Sequence, residues 1–164
     1  SRGLGDVYKR QGKIDRVKTG VRDAMGMMMV YFVLTVALIY PFADEMMALF
    51  VNADEHAVIV HAAQLMRIAN WFYPALGMLV ILRYSIQGLG YSNLSLMSGV
   101  MEMIARCGVS LWMVPALAWL GVCYADPVAW CMADVFLLPA FFWLLRRLRR
   151  HLPKQVRTKG EAAL

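Results

Sequence analysis

The chain has 164 residues, of which 60% are hydrophobic and 17% charged, with a formal net charge of +6. So apolar a composition excludes a disordered polypeptide. Three cysteines, Cys107, Cys123 and Cys131, with no CxxC pair or Cys/His spacing, exclude a disulfide framework or a zinc module and read as small buried apolar residues.

Residues Ser1 to Gln11 stand apart. Back-translated, they spell a transposase adapter used in preparing sequencing libraries, so this stretch is a processing scar outside the fold, and Gly12 is expected to be an interior residue of a longer protein. Without Arg2, Lys9, Arg10 and Asp6, 14 basic and 10 acidic residues remain, a net of +4. Residues 146–164 alone hold seven Lys or Arg and one Glu, so the rest of the chain is slightly acidic. Basicity confined to a tail behind an apolar helix points to anionic lipid headgroups as partner, and not to nucleic acid.

Four apolar spans follow in order. Gly12–Arg22 is polar and basic, and the first span, about 17–41, is uncharged from Ala24 to Ala43. That is the roughly 20 residues of helix needed to cross a bilayer core about 30 Å thick. The piece from Ala43 to Ala53, with Met46, Met47, Leu49, Phe50 and Val51 among acids, reads as a short interfacial elbow helix. The second span covers about 57–87 and carries Arg67, then Asn70, Trp71, Tyr73 and Pro74 near its middle. Gly88–Asn93 is a turn, with Ser92 or Asn93 as N-cap of the third span, about 93–119. Leu120–Asp126 reads as a short outer loop, and Pro127 as the first turn of the fourth span, about 127–148. A polar tail, 151–164, completes the chain. The fold class expected is all-α: a polytopic membrane bundle of four transmembrane helices with an interfacial elbow.

Orientation follows from Lys and Arg. Lys13, Arg16, Lys18 and Arg22 precede the first span, Arg83 lies beside the second turn, and seven basic residues follow the fourth span. The other two connections hold none, which places both ends in the cytoplasm of a multi-pass cell-membrane protein.

Charges inside spans cost most and therefore mark candidate sites. Glu102 and Arg106 sit four residues apart with the acid first, the favourable order for a pair on one helix face. Either alone near the bilayer centre costs roughly 3 kcal/mol. The pair is either a structural clamp or a proton or cation relay. Asp134 is a second candidate, partnered by Arg106 or by Arg67, and either neutralising an arginine or titrating; Arg67 could instead snorkel outward. Asn70, Trp71, Tyr73 and Pro74 either pack or line a cleft at a locally broken helix. Small-xxx-small pairs at Gly20/Ala24, Ser95/Gly99 and Ala129/Ala133 suggest close helix contacts.

Several stretches together resemble the multidrug and toxic compound extrusion (MATE) transporters. Gly12-Lys13-Ile14-Asp15-Arg16 is similar to the end of a family Gly-Ala-Gly-Lys stretch, and Leu49-Phe50-Val51-Asn52-Ala53-Asp54-Glu55 to its Leu-Phe-Thr-x-Asp-x-Glu elbow. Tyr73-Pro74 with Ser85-Ile86-Gln87-Gly88-Leu89-Gly90 resembles its Tyr-Pro … Leu-Arg-Gly-x-Gly helix and turn, and Trp119-Leu120-Gly121-Val122 the start of its last span. The resemblance covers Gly12 to about Arg150. It implies the last four spans of a twelve-helix, two-lobe transporter, with the N-terminal lobe and the first two helices of the C-terminal lobe as missing partners. It also implies export of amphipathic small molecules by alternating access, coupled to Na⁺ or H⁺ and needing no cofactor. One branch of the family uses an acid on the helix equivalent to the second span. Here Ile68–Leu82 holds no acid and Leu76 stands at that place, leaving Glu102 or Asp134 as substitutes.

A non-transporting four-helix assembly or anchoring module would account equally for the composition and topology. An enzyme is not expected, since no Ser/His/Asp, HExxH or phosphate-loop pattern occurs and His56, His61 and His151 lie near interfaces.

Overall fold

The computed structural model describes residues 14–51 and 55–150, with side chains for 16–51 and 55–148. Residues 1–13, which include the adapter stretch and Gly12-Lys13, residues 52–54 at the end of the expected elbow and the tail 151–164 lie outside the described residues. The described chain is helical: α1 Ile14–Ala48, α2 His56–Trp71, α3 Tyr73–Gly88, α4 Ser92–Gly108, a π-helical stretch Val109–Met113, α5 Val114–Leu117 and α6 Trp119–Arg150. Three helical segments, Arg16–Ala48, Ser92–Leu117 and Trp119–Leu148, are long and apolar enough to cross a membrane. Helices α2 and α3, bent by 54° at Phe72, make a fourth span when taken together. The fold is an all-α membrane helix bundle.

Helix α1 runs through the region expected as a separate elbow. Pro41 lies inside it and forfeits the backbone bond to Ala37. Tertiary contact holds the extension helical: Ala43 is fully buried beside Ile39 and Ala63, and Arg67 of α2 binds both the Asp44 side chain and the Tyr40 carbonyl. Helix propensity and packing override the interfacial reading as far as Ala48.

The bend between α2 and α3 has its cause in Pro74. Its ring places it in the first turn of a new helix, where no N–H is needed, and Phe72 becomes the shared cap residue. Phe72 N–H turns back to Ala69 O at 3.0 Å while Phe72 O accepts from Leu76 N–H at 3.1 Å.

The turn after α3 is closed by Gly90 at φ +90°. Gly90 N–H reaches Gln87 O at 2.9 Å and Tyr91 N–H reaches Ile86 O at 3.2 Å, the paired bonds of a Schellman cap, which needs a left-handed residue where glycine costs least. The N-cap of α4 is Tyr91, not Ser92 or Asn93, and no side chain caps it. The Schellman bonds already fix the chain direction there.

The reversal between α5 and α6 departs furthest from expectation. In place of a loop over Leu120–Asp126 there is a one-residue break at Ala118, φ 49° and ψ −120°, and α6 begins at once. Gly121 permits this, because a Cβ there would stand 2.7 Å from Met113 O and from Val114 Cα. Pro127 is consequently an interior, buried residue of α6 rather than its first turn. The π stretch lies just before Pro115, whose ring would crowd the carbonyl of Leu111, and widening the helix there relieves the clash.

The core joins α3 to α6. Leu79, Leu82 and Ile86 pack on Ala133, Leu137 and Leu144, with Val17, Val21 and Met25 of α1 at its edge. Of the small-residue pairs, Ala129 and Ala133 are fully buried, whereas Gly20 and Gly99 meet nothing within 4 Å. Close approach occurs instead at Gly77, where any Cβ would collide with Met28 of α1. Cys107 is exposed, unlike the buried Cys123.

Candidate functional site

The antiparallel hairpin of α3 and α4 sets residues at equal distance from its turn against each other. Gln87 Nε2 donates to Ser95 Oγ at 2.9 Å. One turn deeper, Arg83 Nε donates to Ser98 Oγ at 3.1 Å, and Ser98 Oγ donates in turn to Ser95 O at 2.7 Å. The second arm of Arg83 grips the Glu102 carboxylate. Ser95, Ser98, Glu102 and Ala105 form the buried stripe of α4 at helical spacing, so the polar groups share one protein-facing side.

From Glu102 the chain of contacts continues outward. Its other carboxylate oxygen lies 3.6 Å from Arg106 Nη1, as the four-residue spacing requires. Arg106 Nε donates to Asp126 Oδ1 of α6 at 2.9 Å. Charges alternate along the line Arg83, Glu102, Arg106, Asp126 and sum to zero. From Ser95 to Arg106 the ladder rises through 11 residues of helix, about 16 Å, or roughly half a bilayer core. A guanidinium serves each carboxylate in it, which is how charges become tolerable in a medium without water. Asp126 can join only because α6 starts at Trp119; a loop over Leu120–Asp126 would not present it to Arg106.

The remaining charged candidates go elsewhere. Arg67 does not meet Asp134. Its Nη2 donates to Asp44 Oδ2 at 2.6 Å and its Nε to Tyr40 O at 3.3 Å, tying α2 to the C-terminal end of α1. Arg106 is likewise spent on Glu102 and Asp126, so neither expected partner of Asp134 reaches it. Asp134 is 4% exposed, and neither carboxylate oxygen has a hydrogen-bond partner among the described residues. Asn70, 1% exposed at the α2–α3 bend, likewise has both side-chain polar atoms unpartnered.

The aromatic group at the bend divides between neighbours. Trp71 meets Phe32 and Tyr40 of α1 edge-on, at 6.2 and 6.3 Å between ring centroids, while Phe72 meets Tyr124 of α6 at 6.3 Å. Tyr73 and Pro74 are half-buried. The bend therefore sits between α1 and α6, and is clamped to each by a ring.

Sequence reasoning missed Arg83, which it used only as a marker of the cytoplasmic side, and Asp126, which it placed in a loop. A signal for Arg83 was present: folding the hairpin at Gly90 sets residue 83 opposite residues 98 and 102. Among the described residues no three His, Cys, Asp or Glu side chains cluster as metal ligands.

The MatE family model matches residues 11–112, more than half of the chain, from before α1 into the π stretch. The chain belongs to the MATE family. It is thus a multi-pass membrane protein of a transporter family, not of an enzyme family. The matched region contains Arg83, Glu102 and Arg106 and stops short of Asp126 and Asp134 on α6. No curated protein matches the chain, and no solved structure matches it.

Proposed function

We propose that this MATE chain is the C-terminal part of a secondary exporter, which expels amphipathic small molecules by alternating access as Na⁺ or H⁺ enters. On this reading its four spans complete a C-terminal lobe whose first two helices, and the whole N-terminal lobe, lie upstream. Both ends of the segment face the cytoplasm, where Arg146 and Arg147 meet anionic headgroups.

The observation that carries the reading is the intramembrane ladder of Arg83, Glu102, Arg106 and Asp126, running between three helices of a MATE segment. A structural anchor gains little from four charged groups placed in apolar helices, whereas ion and substrate pathways are where such groups occur. The bend at Phe72 supports it as well, since discontinuous helices near the midplane are where transporters place sites.

The test begins with the DNA upstream of the Gly12 codon. An open frame encoding eight further spans is expected; a start codon near Gly12 would favour a stand-alone four-helix module. The complete reading frame is then expressed in a bacterium lacking its own pumps, and dye efflux is followed with and without an imposed ion gradient. Gradient-dependent efflux is expected. Retention of every dye, whatever the gradient, defeats the exporter reading.

A further inference from the structure

Every carboxylate of the ladder is satisfied by a guanidinium, and the one carboxylate buried in α6 is not. We infer that Asp134 is a proton-binding site, loaded and unloaded when α6 separates from α3 and α4, and that its proton is the coupling ion of the exporter proposed above; the second clause rests on that reading.

The argument is one of size and partners. Asp134 lies 15 residues from the start of α6, about 22 Å along its axis and near the middle of the span. Its two oxygens are covered and accept no hydrogen bond from the described residues. A hard metal cation would need about six oxygen ligands, and among the described residues no three His, Cys, Asp or Glu side chains cluster to begin such a set. An organic cation would need room beside oxygens that have none exposed. A proton needs one lone pair: the Oδ–H bond forms when it enters and breaks when it leaves, and no other bond changes.

The charged and titratable groups on the elements packed against α6 are otherwise engaged or apart from it. On α2, Arg67 is bound to Asp44, His61 stacks against Trp119 at 5.2 Å, and His56 stands at the helix start. On α3, Arg83 is bound to Ser98 and Glu102, and Tyr73 and Tyr84 give Asp134 no hydrogen bond. On α4, Glu102 and Arg106 belong to the ladder, and Cys107 is exposed. The π stretch and α5 carry no charge. On α6 itself Asp126 faces Arg106, and Cys131 lies one turn away.

This arrangement also excludes Glu102 as the carrier, because neutralising it would strand Arg83 without its counter-charge. Access to Asp134 requires α6 to part from its neighbours, and the flat, fully buried Ala129 and Ala133 give α6 a surface on which to slide. The Arg106–Asp126 bridge crosses the same α4–α6 seam, so it must yield in the same movement.

The test uses the protein expressed from its complete reading frame. Infrared spectra of wild type minus Asp134→Asn should contain a protonated-carboxyl carbonyl stretch that shifts in D₂O, and wild type minus Glu102→Gln should not. Asp134→Asn should lose gradient-driven dye efflux, whereas Asp134→Glu should keep it and move the infrared band. Should Asp134→Asn fail to fold, the band shift in Asp134→Glu carries the test. Absence of a band from Asp134, or undiminished pumping by Asp134→Asn, overturns the proton site. A wild type that shows the band yet exports no dye removes the exporter reading and leaves the site standing; one that pumps without the band does the reverse.

Discussion

Two arginines tie neighbouring helices together in this bundle, and they do so under opposite conditions. Arg67 joins α2 to α1 through Asp44, with side chains 32% and 50% exposed. Arg83 joins α3 to α4 through Glu102, whose side chain is only 12% exposed. The first bond sits where an alternative exists, since both side chains are partly exposed at the C-terminal end of α1. The second sits among apolar helices, where losing Arg83 leaves Glu102 only the longer contact with Arg106 at 3.6 Å. Equal chemistry thus gives unequal dependence, and what separates the two is burial rather than hydrogen-bond length.

The sharpest way to break the comparison is Arg83→Met, which leaves Glu102 only the 3.6 Å contact with Arg106. It should cost about 3 kcal/mol, the low end of the penalty for removing one side of a buried pair. The full-length protein in detergent would be read by thermal unfolding through its tryptophans. The double variant Arg83→Met with Glu102→Met should recover most of that loss. If it recovers none, Arg83 acts through Ser98 and the packing of its stem.

Asp126→Asn should cost far less. It keeps a hydrogen-bonding oxygen for Arg106, Glu102 remains as a second partner, and the side chains are 44% and 61% exposed, so about 0–1 kcal/mol bounds the effect. Arg67→Ala should cost as little, about 0–1 kcal/mol, and the cost should shrink further in high salt as screening weakens an exposed pair. A loss at Arg67 as large as that at Arg83 would show that the outer clamp is as desolvated as the inner one.

Much of the architecture was legible because local signals and packing agree. The uncharged run from Ala24 to Ala43 reads as helix and is helix, and the Gly88–Asn93 stretch reads as a turn that the structure narrows to Leu89–Tyr91. Pro74, read with its neighbours as either packing or lining a cleft at a broken helix, stands beside a 54° bend. The Glu102–Arg106 contact was legible from helical periodicity alone. What the residues could not show is where tertiary contact extends a helix. Ala43 and Arg67 carry α1 past Pro41, and Gly121 against Met113 lets α6 start eight residues before Pro127. The second of these hid Asp126, because a residue assigned to a loop has no defined face. Asp134 was visible as a charge in an apolar span, but its lack of a partner depends on three helices at once and has no local signature.

The π-helical stretch has a consequence for anyone aligning this chain with a relative. One extra residue in a helix turns everything beyond it by about 100°. Past Val109, the last buried residue of the α4 stripe, that rotation brings Met113 and Val114 under Gly121 and leaves Trp112 facing outward. A relative one residue shorter between Gly108 and Pro115 would keep α4 regular and present a different azimuth at its outer end. A gap placed there by an alignment is therefore a change of facing, and residues on its two sides should be compared in separate helical frames.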